Sequence, residues 1–370
     1  MAIPNDSIIQ KIFDKDALET ISTHIFGETD DLVIINRFAL IVQTCCIAKP
    51  DLAKGKCSFI YKFLKFVHYK TVFEMFKVFL TPEDKPRFVQ QFLFEDKLFD
   101  HFLDCIAELP VSFPESPDDI ICQKVASLFK LVPLFKGSPS FESVVCSEDS
   151  VDKFSREFIN PPQIILNAQY AALASVANEE SKDFIISRLD TRLFSLLEAE
   201  TTSFMPYQES IIIILQQLAV ASPEFAQRLI DWDIGHKFAN FIEKFPRHTI
   251  LHHTITNFAV ATIENPNLAR CVLQPLYQLT AKCFEEGQHV EMRAFAWNLQ
   301  RAIREKTQDF NDLEDTNEEL IEKYNALSNV VSNPYGGSLP PQPSDDADEL
   351  GNLTPEQLMA LLRFITGGRR

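Results

Sequence analysis

Apolar positions recur along most of this chain at spacings of three and four residues, the period of one face of an α-helix. In FIYKFLKFVHYKTVFEMFKVFL, residues 59–80, Phe59, Phe63, Phe66 and Val67 fall on one stripe. Val72, Phe73, Phe76, Phe79 and Leu80 fall on a second stripe, and His68-Tyr69-Lys70 separates the two. The spacing predicts two short helices, or one kinked helix, each with a face to bury. Phe88, Phe92 and Leu93, then Leu98, Phe99, Phe102 and Leu103, repeat the pattern across Glu95-Asp96-Lys97. Short amphipathic helices in series, joined by brief turns, predict an all-α, armadillo/HEAT-like α-solenoid.

The stretch 59–80 is long and apolar enough to raise the question of a membrane span, which needs about 20 apolar residues with few charges. Lys62, Lys65, Lys70, Glu74 and Lys77 are spread along its whole length, so they cannot all reach the interfaces. It reads as a helical hairpin in the stack, with Lys62, Lys65 and Lys77 toward solvent. These lysines are also the most basic spot on an acidic chain.

Four later segments align on one another: 173–189, 215–230, 255–273 and 295–310. In each a polar residue precedes an apolar one, at Ser175, Gln217, Asn257 and Asn298. These positions lie 42, 40 and 41 residues apart by subtraction of their numbers. A period near 40 is that of armadillo and HEAT units, none of which buries its apolar face without a neighbour. Turns follow at Asn178-Glu179-Glu180, Ser222-Pro223 and Asn265-Pro266. Residues 107–160 hold many Pro and Ser and read as loops around one helix at about 118–136.

The ladder of Gln217, Asn257 and Asn298 with Ser175 has two readings. Its amides line a concave groove and bond an extended partner peptide, as in armadillo domains, or they satisfy neighbouring backbone groups inside the stack.

Helical periodicity continues to about Val331, with Leu320, Ile321, Tyr324 and Leu327 on one stripe. The domain boundaries follow: a helical repeat domain over 1–331, a Pro/Gly/Asp-rich flexible linker over 332–353, and a short helix over 354–366. Thr354 reads as its N-cap and Pro355 as its first residue. Leu358, Leu361, Leu362, Phe364 and Ile365 make an apolar face that an isolated helix of this length must bury, in cis or on a partner.

Charge and cysteine usage narrow the function classes. The 370-residue chain carries 52 acidic and 35 basic residues, a net charge of −17 that repels a phosphate backbone, so no nucleic acid is expected as a partner. Its eight cysteines form no CxxC pair and most lie in apolar runs, which reads as buried free thiols in a reducing compartment, cytosol or nucleus. MAIPNDSIIQ lacks the pattern of a signal peptide, and no membrane association is expected.

His248 and His252 stand one helical turn apart, with His253 beside them. A metalloprotease-like zinc site needs a Glu after the first His, and Thr249 is there instead. No phosphate-binding glycine loop, nucleophile elbow or kinase element occurs, so no catalytic residue, metal or cofactor is expected.

Several segments resemble the SAPS-domain family, the regulatory subunits of type 6 Ser/Thr protein phosphatase. The run FANFIEKFPRHTILHHTITNFAVATIENPNLARCVLQP, residues 238–275, carries most of the resemblance: Leu251-His252-His253 opens a helix and Asn265-Pro266 makes the turn after it. EMRAFAWNLQRAIREK at 291–306 is similar to the helix that follows in that family, and 88–106 and 165–177 fall in the same order. The chain departs from the family in its long 107–160 region and its short tail.

The resemblance implies a non-catalytic scaffold that binds a phosphatase catalytic subunit and directs it to substrates. An armadillo-type peptide-binding adaptor in transport or trafficking is the alternative, and an enzyme with an unrecognised Cys/His site is the third reading.

Overall fold

Capping chemistry sets where the helices begin. The carboxylate of Asp31 accepts from Val33 N at 2.8 Å and opens α2 (Leu32–Ala48), after α1 (Lys15–Glu28). A short α3 (Pro50–Ala53) and a 3₁₀ stretch (Ser58–Phe66) precede α4 (Lys70–Leu80), α5 (Asp84–Glu95) and α6 (Leu98–Ala107). Asp119 accepts from Ile121 N at 2.7 Å and opens α7 (Ile120–Lys136). Each cap satisfies a backbone donor that the helix itself leaves unpaired.

The computed structural model describes residues 10, 14–28, 31–82, 84–114, 116, 118–283 and 290–307. Among these the chain is all-α, with no strand and one isolated bridge between Ser112 and Ile159. The predicted last helix around Leu320, the linker 332–353 and the helix 354–366 lie outside the described residues.

The region 107–160 corrects the sequence reading of loops around one helix. That helix is α7, but α8 (Glu142–Val145) and α9 (Glu148–Phe154) follow it. Phe141, Val145, Val151 and Phe154 are fully buried there. The Phe135 ring is 4.8 Å from Phe102 and 5.1 Å from Phe141, so tertiary burial rather than local periodicity orders these short helices.

The remainder repeats. It consists of α10 (Gln163–Val176), α11 (Lys182–Leu197), α12 (Pro206–Ala221), α13 (Pro223–Asp231), α14 (Ile234–Lys244), α15 (Thr249–Ala261), α16 (Pro266–Lys282) and α17 (Arg293–Thr307). One row of helices, α7, α10, α12, α15 and α17, packs each member on the next. Their first residues, 120, 163, 206, 249 and 293, are 43, 43, 43 and 44 apart by subtraction. On the other side α9 packs on α11, and both α13 and α14 pack on α16. The arrangement is that of an α-solenoid, in which each unit buries its apolar face on its neighbours.

Turn residues explain the breaks between units. Ser222 ends α12 and caps α13, accepting from Phe225 N at 3.2 Å, with Pro223 in the first turn where its missing N–H costs nothing. Asn265-Pro266 does the same for α16, with Asn265 accepting from Leu268 N at 3.2 Å. Asn178 accepts from Glu180 N at 3.0 Å and from Ser181 N at 3.1 Å, forming the predicted turn at 178–180.

The 59–80 stretch is broken as predicted, into the 3₁₀ stretch and α4, with Phe63, Val72, Phe76 and Phe79 fully buried. The Phe63 ring meets Phe26 edge-on at 4.8 Å and Phe38 at 5.6 Å. Lys65 and Lys77 are exposed, whereas Lys62 is half-buried with its ammonium 5.9 Å from the Phe26 ring. The sequence pattern placed Lys62 toward solvent with Lys65 and Lys77, whereas its side chain is partly covered.

Candidate functional site

The polar ladder becomes a site only at its end. Gln217 lies eleven residues into α12, Asn257 eight into α15 and Asn298 five into α17, counting from each first residue. Ser175 lies twelve into α10. A 40-to-42-residue spacing laid on 43- and 44-residue units drifts seven residues in three steps, which is about 10 Å along a helix axis. Ser175 and Gln217 are half-buried, and Ser175 donates to Ala172 O at 2.6 Å within its own helix. Asn257 and Asn298 are exposed and line one cleft between α15 and α17.

This cleft has a volume of about 280 Å³. From α15 it takes Thr249, His252, His253 and Asn257, and from α17 it takes Phe295, Asn298 and Arg301. Ala294 and Ala302 leave room on the α17 side. The Arg301 guanidinium lies 5.0 Å from the Trp297 ring. The Asn257 amide donates to His253 Nε2 at 3.1 Å, one turn back on the same helix.

His252 is the unusual member. It is 8% exposed, its ring lies 5.0 Å from Phe295, and its Nε2 is buried without a hydrogen-bond partner. Burial, helped by the neighbouring His248, pushes its pKa down to about 4, so the ring is neutral at pH 7. An unpaired buried polar atom costs stability, and a ligand that pairs with it recovers that cost.

His248 has a different role from the one its spacing raises. It is the N-cap of α15, and its Nδ1 accepts from Leu251 N at 3.1 Å. His248 and His252 are therefore divided between a helix cap and a packed ring. Among the described residues, no three His, Cys, Asp or Glu side chains converge in a manner that would hold a metal.

The thiols are free, and six of the eight are buried, with Cys105 and Cys271 half-buried. Cys46 and Cys57 bring their Sγ atoms to 3.9 Å in the interior, where burial raises the Cys46 pKa. Protonated thiols in such a place are weak nucleophiles.

The sequence named Asn257 and Asn298 as site residues, and the fold brings them together. It places Gln217 one repeat away, outside the lining of the cleft. Leu358, Leu361, Leu362, Phe364 and Ile365 lie outside the described residues. Arg301, Phe295 and the unpaired face of His252 were not legible as members. Trp297-Asn298-x₂-Arg301 on one helix is the signal nearest to them.

The arrangement offers amide, hydroxyl and imidazole groups over an aromatic floor. Such a lining offers hydrogen-bond donors and acceptors to a polar chain. No family model matches this chain, and no curated protein compared with it matches. Among the described residues, no helix is long and apolar enough to cross a membrane.

Proposed function

We propose that the chain is a non-catalytic scaffold that binds the catalytic subunit of a Ser/Thr protein phosphatase and directs it to substrates. The observation that carries this reading is the row α7, α10, α12, α15 and α17, repeated at intervals of 43 and 44 residues. Such a row presents one side of every unit in register, a long surface suited to a folded partner. The choice of partner rests on the resemblance of residues 238–275 to the SAPS-domain family. That run spans most of α14, all of α15 and the first part of α16.

The test is affinity capture with the tagged full chain from cells, read by mass spectrometry and phosphatase assay. The expected result is a phosphatase catalytic subunit and activity in the eluate, with none from the purified chain alone. Recovery of no phosphatase subunit overturns the reading.

A second reading is an armadillo-type adaptor that binds an extended peptide. The cleft with Asn257, Asn298 and the unpaired His252 Nε2 favours it. Side-chain amides match the donors and acceptors of a peptide backbone, and the neutral imidazole adds one more such group.

A further inference from the structure

On the other side of the stack, three arginines converge. Arg188 and Arg192 lie one turn apart on α11, Arg228 comes from α13, and all three line a pocket of about 460 Å³ closed by Ser155 after α9. The lining itself carries three positive groups against two negative ones, Asp190 and Glu157.

The arginines are held in different ways. Arg188 pairs with Asp152 at 3.0 Å, with both side chains half exposed. Arg228 pairs with Asp190 through one carboxylate oxygen. Arg192 makes no ion pair among the described residues. Its Nη1 donates to Ser155 O at 3.1 Å, and its guanidinium lies 5.7 Å from the Tyr170 ring. Backbone and ring fix its position and leave its charge without a counterion.

Two buried polar atoms in the lining lack partners. Ser155 is 9% exposed and its Oγ is buried without a hydrogen bond. Asp190 uses its second oxygen for Arg228, and its Oδ1 is buried and unpaired. In folded proteins such atoms are nearly always satisfied by something. The pocket therefore asks for a multivalent anion, a partner for a hydroxyl, and an N–H donor.

We infer that this pocket binds the phosphorylated side chain of a peptide. A phosphoryl group carries close to two negative charges and three acceptor oxygens, enough to engage two or three guanidiniums and the Ser155 hydroxyl together. A carboxylate has only two oxygens. A peptide also carries backbone N–H groups for Asp190 Oδ1, which free phosphate lacks. The site is separate from the α15–α17 cleft and independent of any phosphatase partner.

The probe is a short fluorescein-labelled Gly/Ala/Ser peptide with one central phosphoserine, titrated with the purified full chain and read by anisotropy at low salt. The same peptide with Ser, and with Glu, at the centre serves as comparison. The expected result is binding of the phosphoserine form at least about tenfold tighter than either comparison, because charge-assisted bonds to guanidinium are lost without the phosphoryl group. Inorganic phosphate competes weakly.

The double variant Arg188→Gln, Arg228→Gln loses about tenfold or more in affinity with a native circular dichroism spectrum. Arg192→Lys keeps the charge but not the fork, and weakens binding with a native circular dichroism spectrum. Asp190→Asn removes an opposing charge and tightens binding. Equal binding of the three peptides, inorganic phosphate competing as well as the phosphopeptide, or unchanged affinity in the double variant overturns the proposal.

Discussion

The backbone of Gly235 on α14 lies directly against the carbonyl of Cys271 on α16. A Cβ at position 235 would overlap that carbonyl and come within 3.1 Å of the Val272 Cα. Both atoms belong to helix backbone, so neither moves without displacing the α14–α16 contact. The close approach is what lets α14 seat Ile234, Phe238 and Ile242 in full burial.

Gly235→Ala is expected to lower stability by about 1–3 kcal/mol, the usual cost of overpacking a close-packed interior. Gly27, with nothing within 4 Å of its added Cβ, is the comparison. Gly27→Ala is expected to be neutral or to stabilise by about 0.5 kcal/mol through helix propensity. Urea unfolding measures both, and an unchanged midpoint for Gly235→Ala would sink the packing account.

His252 makes stability depend on pH. Its folded pKa is about 4, below the unfolded value of 6.5, so between these values the unfolded chain binds more protons than the folded one. The contribution is fully present above about pH 6.5, declines as pH falls toward 4, and is gone below that. Its size is about 2–3 kcal/mol, since each pH unit between the two values contributes about 1.4 kcal/mol, reduced for residual solvation. His252→Phe, which keeps a ring beside Phe295, is expected to flatten the melting temperature over pH 4–6.5. A profile identical to that of the parent protein would remove His252 as the cause.

Asn257 and Asn298 separate binding from packing. Both are exposed, and Asn257 bonds only one turn back to His253. Asn257→Ala and Asn298→Ala are each expected to change stability by less than about 0.5 kcal/mol, as surface changes do. Peptide binding at the α15–α17 cleft, read by calorimetry with a captured partner peptide, is expected to weaken in both. A drop in melting temperature with unchanged binding would mean that the amides serve the stack.

Much of the fold was legible in local pattern. The break at 68–70 and the turns at Asn178, Ser222-Pro223 and Asn265-Pro266 all depend on residues within one or two turns of each other. Such interactions are short-range, so their residues stand together in the sequence. The helices α8 and α9 were not legible, because their order comes from rings such as Phe99 against Phe141 and Phe102 against Phe154, more than forty residues apart in the chain.

The sequence by itself determined that the chain is helical, where most of its helices start and stop, and that it repeats with a period in the low forties. Only the tertiary structure decided which of the repeated polar residues meet. The packing of α17 on α15 joins Asn257, Asn298 and His252, while Gln217 stays on α12 outside the lining of that cleft. It likewise decided that Arg228 joins Arg188 and Arg192, although 36 residues separate Arg228 from Arg192 in number. The reason is physical. Helical periodicity records which side of a helix is apolar, but the neighbour on that side, and the register against it, are set by side-chain volumes across the interface.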